Sequence, residues 1–162
     1  MKNIREYYAE CFAAEKPKFL RVFRAIPEGQ HGYRPHERSS CGQDLVWLLA
    51  RELDDACVVA EKGAVDYKPV PAPATLGESI AEYEKNAAEL ERRLAKLDDA
   101  AWDKPARFLV DGNVAWEASL GDMLWGFLFD AIHHRGQLST YLRPMGGKVP
   151  SIYGPSADDP GM

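Results

Sequence analysis

The chain has 162 residues, about the size of one domain, with 46% hydrophobic residues and a net charge of −5 at neutral pH. This composition is typical of a globular protein, and the negative charge gives no electrostatic reason to expect binding to nucleic acid or to an anionic membrane. No apolar run approaches the roughly 18 residues of a membrane-spanning helix, and residues 1–6 lack the apolar core of a signal peptide, so we expect one cytoplasmic domain over residues 1–162.

Hydrophobic periodicity and capping residues predict four helices, the first two in the N-terminal part of the chain. The first covers about residues 4–26, where Pro17 removes a backbone donor and predicts a kink or a break. The second begins at a candidate capping box, Ser40-Cys-Gly-Gln43, and ends near Gly63. The loop of about 17 residues between them is long for a tight hairpin and allows a crossover connection.

The C-terminal part of the chain supplies the other two helices. The third has apolar residues at alternating spacings of four and three over residues 76–97, after the capping box Thr75-Leu-Gly-Glu78. The fourth begins near Ser119 and ends before Pro144, and the apolar runs around Asp111-Gly112 predict a short β-ribbon before it. We therefore predict an all-α four-helix bundle with a crossover connection and this short ribbon.

The fourth helix turns polar in the middle of its inward-facing stripe. Asp130 and His134 lie one turn apart, so their side chains project side by side, as two ligands of one metal ion do. A buried carboxylate needs a cation, a donor or water, and a structural pair of Asp130 with His134 or an arginine also meets that need. From the residues alone, the structural interpretation is favoured. The whole stripe consists of Met123, Phe127, Asp130, His134, Gln137 and Tyr141.

Cysteines and loop histidines give weaker signals. Cys11, Cys41 and Cys57 are odd in number and widely spaced, which argues against a disulfide framework and against a thiolate metal site. Cys41 lies near a predicted helix N-terminus, where a thiolate is favoured. His31 and His36 lie in a loop without ligand spacing, and we expect them on the surface.

Four segments, in order along most of the chain, carry a family resemblance. They are Tyr33-Arg-Pro35, Asp44-Leu-Val-Trp47, the run His133-His-Arg-Gly-Gln-Leu-Ser-Thr-Tyr-Leu-Arg143, and Gly147-Lys-Val-Pro-Ser-Ile-Tyr-Gly-Pro155. With these segments the chain resembles the DinB-like family, which is named for DNA-damage-inducible proteins and includes metalloenzymes. The resemblance implies a four-helix bundle with a crossover, often assembled as a homodimer.

The same resemblance implies a metal ion held by three histidines, one from the second helix and two from the fourth. These positions fall on Leu48, Asp130 and His134, so one of the three histidines is retained. Glu52 lies one turn after Leu48 on the same face. Together Glu52, Asp130 and His134 allow a site with two carboxylates and one histidine, which suits Zn, Ni, Mn or Fe.

Alternatively, Arg51 or Arg135 occupies the place of the missing metal ligand and neutralises Asp130. Because a lost ligand is rarely replaced by geometry alone, we expect a metal-free or weakly metal-binding protein of unknown substrate. The alternative is an active metalloenzyme, resembling metal-dependent hydrolases or thiol-dependent transferases. The side chains predicted to line a small-molecule pocket are Trp47, Gln137 and Tyr141.

A third interpretation is a non-catalytic dimer that binds a small molecule or another protein. Trp125, Leu128, Ile132 and His133 on the fourth helix would then form the interface. Gly136, in the middle of that helix, would permit close approach of a neighbouring helix or loop. No Ser-His-Asp or Cys-His arrangement is present as a local motif, so the sequence assigns no catalytic residue.

Overall fold

The structure, a computed structural model, describes residues 3–161 and is mostly helical. Four long helices and a single-turn helix connect to three short strands. The helices are α1 (Ile4–Arg24), α2 (Gly42–Lys62), α3 (Leu76–Leu94), α4 (Asp99–Trp102) and α5 (Leu120–Tyr141). The strands are β1 (Ala64–Tyr67), β2 (Pro105–Val110) and β3 (Asn113–Ser119).

The hydrophobic core lies between the long helices. Helix α2 packs against α3 and α5, and α1 packs against the same two helices from the other side. Apolar side chains of α1 are buried in that core, and they are Tyr8, Phe12, Phe19, Val22 and Phe23. Within residues 3–161, no helix combines the length and the apolar composition that crossing a membrane requires.

Helix α1 continues through Pro17 without interruption, so the predicted break is excluded. The ring of Pro17 is exposed, on the opposite face from the buried Phe19. Proline removes one backbone hydrogen bond in a helix interior, and here the packing of the apolar face outweighs that loss.

Each of the last three long helices begins at a side-chain cap. Thr75 forms the predicted capping box with Glu78, and Ser119 caps α5 as predicted. On α2 the predicted box is displaced by one residue, because Cys41 is the cap: its Sγ accepts from the Asp44 backbone N at 3.4 Å. Burial raises the pKa of the Cys41 thiol, so the thiolate expected at this helix N-terminus is disfavoured.

The three strands form one sheet in the order β1-β2-β3. Strands β2 and β3 are the predicted hairpin, and both turn residues, Asp111 and Gly112, have positive φ values of 51° and 77°. Strand β1 pairs with β2 in parallel, with Val65 opposite Phe108. Since a third strand joins the ribbon, the predicted all-α fold class is wrong.

Helix α5 lies close to the hairpin and to α4 because two of its residues are glycines. A Cβ at Gly121 would lie 2.2 Å from the Trp102 ring, and one at Gly126 would lie 2.4 Å from Trp116. Gly136 makes no such approach within residues 3–161, because a Cβ there would have no atom from outside its own helix within 4 Å.

Candidate metal centre

The packing of α2 against α5 brings three predicted ligands together. Glu52 projects from α2, and Asp130 and His134 project from one face of α5. Each offers one ligand atom, and these atoms all lie within 4.8 Å of one another. Glu52 and His134 are half-buried, whereas Asp130 is exposed, so the cluster lies where the helix interface meets the surface.

His134 is held in a defined orientation by its neighbours on α5. Its Nδ1 lies 3.0 Å from Oε1 of Gln137, and the amide nitrogen of Gln137 donates to the Tyr141 hydroxyl at 2.9 Å. An amide oxygen only accepts, so Nδ1 carries a proton, and in the neutral tautomer with this proton Nε2 has the lone pair. Nε2 lies 3.4 Å from Oδ2 of Asp130 and therefore points into the cluster.

Glu52 is the least satisfied member of the cluster. Its Oε2 is inaccessible to solvent and has no hydrogen-bond partner within residues 3–161. Burial, the adjacent Asp130 carboxylate and the charge of Asp55 raise the pKa of Glu52 to about 9. Without a nearby cation, Glu52 therefore holds a proton at neutral pH.

Neither arginine takes the place of a metal ion. Arg135 is 1% exposed and pairs with Glu15, and it also donates to the Tyr153 hydroxyl at 2.6 Å. Arg51 pairs with Asp54 at 2.7 Å. Within the part of the chain that the structure describes, Asp130 has no arginine partner, so the sequence hypothesis of a neutralising arginine is not the arrangement found.

A cavity of about 500 Å³ adjoins Glu52 and Asp130. This volume is in the range of small-molecule sites. Leu48 and Phe127 line its helical side, so the α2 position that the family resemblance assigns to a histidine does face this space. The three strands supply the other wall through Tyr67, Phe108, Val110 and Trp116.

Most of this aromatic wall was missed from the sequence. Phe108 and Trp116 are partners across the hairpin, and the single aromatic residue on each of its two strands was the available signal. Tyr67 belongs to β1, a strand that no local pattern predicted. Asp55, another lining residue, lies three residues after Glu52 on α2 and was also missed.

The predicted pocket residues lie elsewhere, and their role as substrate contacts stays a prediction. Trp47 donates from Nε1 to the Val70 carbonyl at 2.7 Å and borders a neighbouring groove. Gln137 and Tyr141 lie behind His134, and neither borders the cavity. Their observed contacts orient the imidazole.

The face predicted as a dimer interface is only partly on the surface. Leu128 is 5% exposed and belongs to the core, so it is not available to a partner. Trp125 stacks against the exposed Phe129, with ring centroids 5.4 Å apart, and also contacts Tyr7. The exposed aromatic residue of this face is Phe129, which the prediction did not include.

Two solved structures share this fold. One is a DinB-like protein from Bacillus subtilis, with 17% identity, 86% of this chain and 92% of that chain covered, and a TM-score of 0.69. The other is a DinB-like protein from Bacillus cereus ATCC 10987, with 14% identity, 91% of this chain and 97% of that chain covered, and a TM-score of 0.74. At these identities the likeness shows the fold.

Sequence comparison places the chain in a family. No curated protein matches it. The family model described as the DinB superfamily matches residues 12–138, which include Glu52, Asp130 and His134 and all three strands. The chain belongs to the DinB superfamily.

Proposed function

We propose that this protein is a metal-dependent enzyme that acts on a small molecule in the cavity beside Glu52 and Asp130. The observation that carries the proposal is the convergence of Glu52, Asp130 and His134, whose ligand atoms lie within 4.8 Å of one another. Asp130 and Glu52 also border the cavity, so an ion held by the three groups would be next to a bound substrate.

The chemistry of the donor set supports a divalent ion. Two carboxylates and one neutral imidazole suit Zn, Ni, Mn or Fe, and three protein ligands leave coordination positions free. Two ionised carboxylates also balance the charge of a divalent ion. An ion held there supplies Lewis-acid chemistry to the reaction.

The buried oxygen of Glu52 favours this proposal over the metal-free protein expected from the sequence. A buried acceptor without a partner costs about 1–3 kcal/mol, and coordination of a cation would remove that cost. The raised pKa of Glu52 belongs to the metal-free state, because a nearby positive charge favours the carboxylate. Metal binding would therefore displace a proton from Glu52.

The other residues of the site have roles in holding the ligands. Gln137 accepts from Nδ1 of His134 and so directs Nε2 towards Asp130. Tyr141 fixes Gln137 in turn. Such outer contacts set the tautomer and the orientation of a ligating histidine. The aromatic wall from the sheet limits the access of water to a bound substrate.

The test is metal analysis of protein prepared without a histidine tag. Chelator-treated protein is incubated with Zn, Ni, Mn or Fe, and the bound metal and its affinity are measured. We expect one equivalent of at least one metal. His134→Ala should lower that affinity by about 100-fold or more. His133→Ala is the matched control, because His133 is exposed and is not a member of the cluster.

Less than one equivalent of every metal, or equal affinities for the two histidine variants, would contradict the proposal. Those outcomes would support a metal-free member of the superfamily that binds a small molecule in the same cavity. Thermal stabilisation by organic ligands that persists in the presence of a chelator would identify that second function.

A further inference from the structure

Asp55 lines the cavity but takes no part in the cluster of Glu52, Asp130 and His134. It lies three residues after Glu52 on α2, close to one helical turn further along the same face. The residue is 6% exposed, and within residues 3–161 it forms no hydrogen bond and no ion pair. The nearby Arg51 pairs with Asp54 instead. Its oxygens are not fully shielded from solvent and open to the cavity, where they are free to accept hydrogen bonds from a cationic ligand.

The remainder of the cavity lining restricts the kind of ligand. Its ionisable acidic side chains are carboxylates, and the described lining residues include no lysine, arginine or histidine. The opposite wall is aromatic and apolar, and it fits a ring-sized hydrophobic group. The aromatic lining residues are Tyr67, Phe108, Trp116 and Phe127.

We propose that the cavity binds a small molecule with an apolar, ring-sized body and a protonated amine, and that Asp55 accepts hydrogen bonds from the amine. An ammonium group offers three donors, which matches the open acceptor positions of the carboxylate. The faces of the aromatic rings also attract a cation. That such an amine is the substrate rests on the proposed metalloenzyme function. Binding of the amine is measured separately, without metal.

The charge state of Asp55 is consistent with this role. Burial raises its pKa to about 6, so the carboxylate is mostly ionised at neutral pH. An anionic ligand, such as a thiol peptide with free carboxylates, would meet like charge from Asp55. In the metal-free protein the cavity should therefore favour an amine over an anion of the same size.

Three probes of similar size test the inference: 2-phenylethylamine, 2-phenylethanol and 3-phenylpropionate. Binding to chelator-treated protein at neutral pH is measured by ligand-observed NMR or calorimetry. We expect the amine to bind about tenfold more tightly than the alcohol, since hydrogen bonds to a charged group are the stronger ones, and the anion to bind most weakly. Asp55→Asn should lower the affinity for the amine to the affinity for the alcohol.

Glu82→Gln is the control for the loss of one negative charge, because Glu82 pairs with Lys85 on α3 and does not line the cavity. It should keep the preference for the amine. Equal binding of amine and alcohol by the wild type, an unchanged preference in Asp55→Asn, or no saturable binding of the amine up to about 10 mM would overturn the inference.

Metal binding, measured separately in the same preparations, keeps the two proposals apart. Loss of the amine preference with one equivalent of metal still bound overturns the ligand assignment alone. Absence of metal binding with the amine preference intact overturns the metal centre alone.

Discussion

A ligand oxygen of Glu52 on α2 lies within 4.8 Å of a ligand oxygen of Asp130 on α5, and within residues 3–161 neither carboxylate forms an ion pair with a lysine or an arginine. Two carboxylates this close cannot both be ionised cheaply without a positive charge. In the absence of a metal ion, this electrostatic repulsion contributes to the raised pKa of Glu52. The two carboxylates come from different helices, so they repel each other only when α2 and α5 pack together.

The first prediction concerns the stability of the metal-free protein between pH 5 and pH 8. The pKa of Glu52 is about 9 in the folded protein and about 4.3 in an unfolded chain. The folded state therefore holds a proton that the unfolded state releases, and stability is lost as pH rises through this window. Glu52→Gln has no such proton, so its free energy of unfolding should rise relative to the wild type by up to about 1.4 kcal/mol per pH unit.

Urea denaturation of both proteins with a chelator present measures this difference. Glu82→Gln, on the surface of α3 beside Lys85, is the control for the loss of one negative charge. A constant difference between Glu52→Gln and the wild type from pH 5 to pH 8 would show that Glu52 is not buried against Asp130 in solution.

The second prediction restores the histidine that the family resemblance implies on α2. Leu48→His places an imidazole one turn before Glu52, at a position that faces the cavity. An additional nitrogen ligand should raise the affinity for zinc by about tenfold or more. Leu48→Ala controls for the loss of the leucine side chain, and competition with a chelating dye measures the affinities. Equal affinities in the two variants would place residue 48 out of reach of the ion.

The third prediction concerns the buried pair of Arg135 and Glu15. Burial acts to raise the pKa of Glu15, but hydrogen bonds from Lys18, Arg135 and Tyr153 together hold it below its usual value. Arg135→Ala leaves Glu15 buried with fewer donors and should destabilise the protein by about 3–5 kcal/mol.

Thermal and chemical denaturation measure that loss. It should shrink as pH falls below about 4.5 towards the lowered pKa of Glu15 in the folded protein, because a protonated Glu15 no longer needs a cationic partner. Arg143→Ala removes an exposed arginine from its pair with Asp158 and should cost less than about 1 kcal/mol. Similar costs for the two variants would contradict the buried role of Arg135.

The fourth prediction compares two glycines of α5. Gly121→Ala places a methyl group 2.2 Å from the buried Trp102 ring and should destabilise the protein by about 1–3 kcal/mol. Gly136→Ala meets open space and should stabilise it by up to about 1 kcal/mol through helix propensity. The signs of the two changes in free energy of unfolding should therefore be opposite, and a shared sign would contradict the placement of Trp102 against α5.

Local sequence determined the long helices and the hairpin. The capping residues Thr75 and Ser119, and the turn at Asp111-Gly112, are short-range signals whose hydrogen bonds join residues close in sequence. The family resemblance, together with the spacing of Asp130 and His134, also predicted that these residues and Glu52 are neighbours, and their ligand atoms lie within 4.8 Å of one another. Their binding of a metal ion stays a prediction. Spacing along α5 fixes that pair because helix geometry alone places residues four apart on one face.

Tertiary structure decided the rest. Strand β1 is four residues long and finds its partner only when β2 returns to it from the far side of α3 and α4, so no local pattern could reveal it. The cavity wall and the exposed position of Asp130 depend on where that sheet packs. The same holds for the arginines: Arg135 pairs with Glu15, a residue 120 positions away, because α1 and α5 pack together. Sequence spacing fixes which side chains share a helix face, and only packing between elements fixes which charges meet.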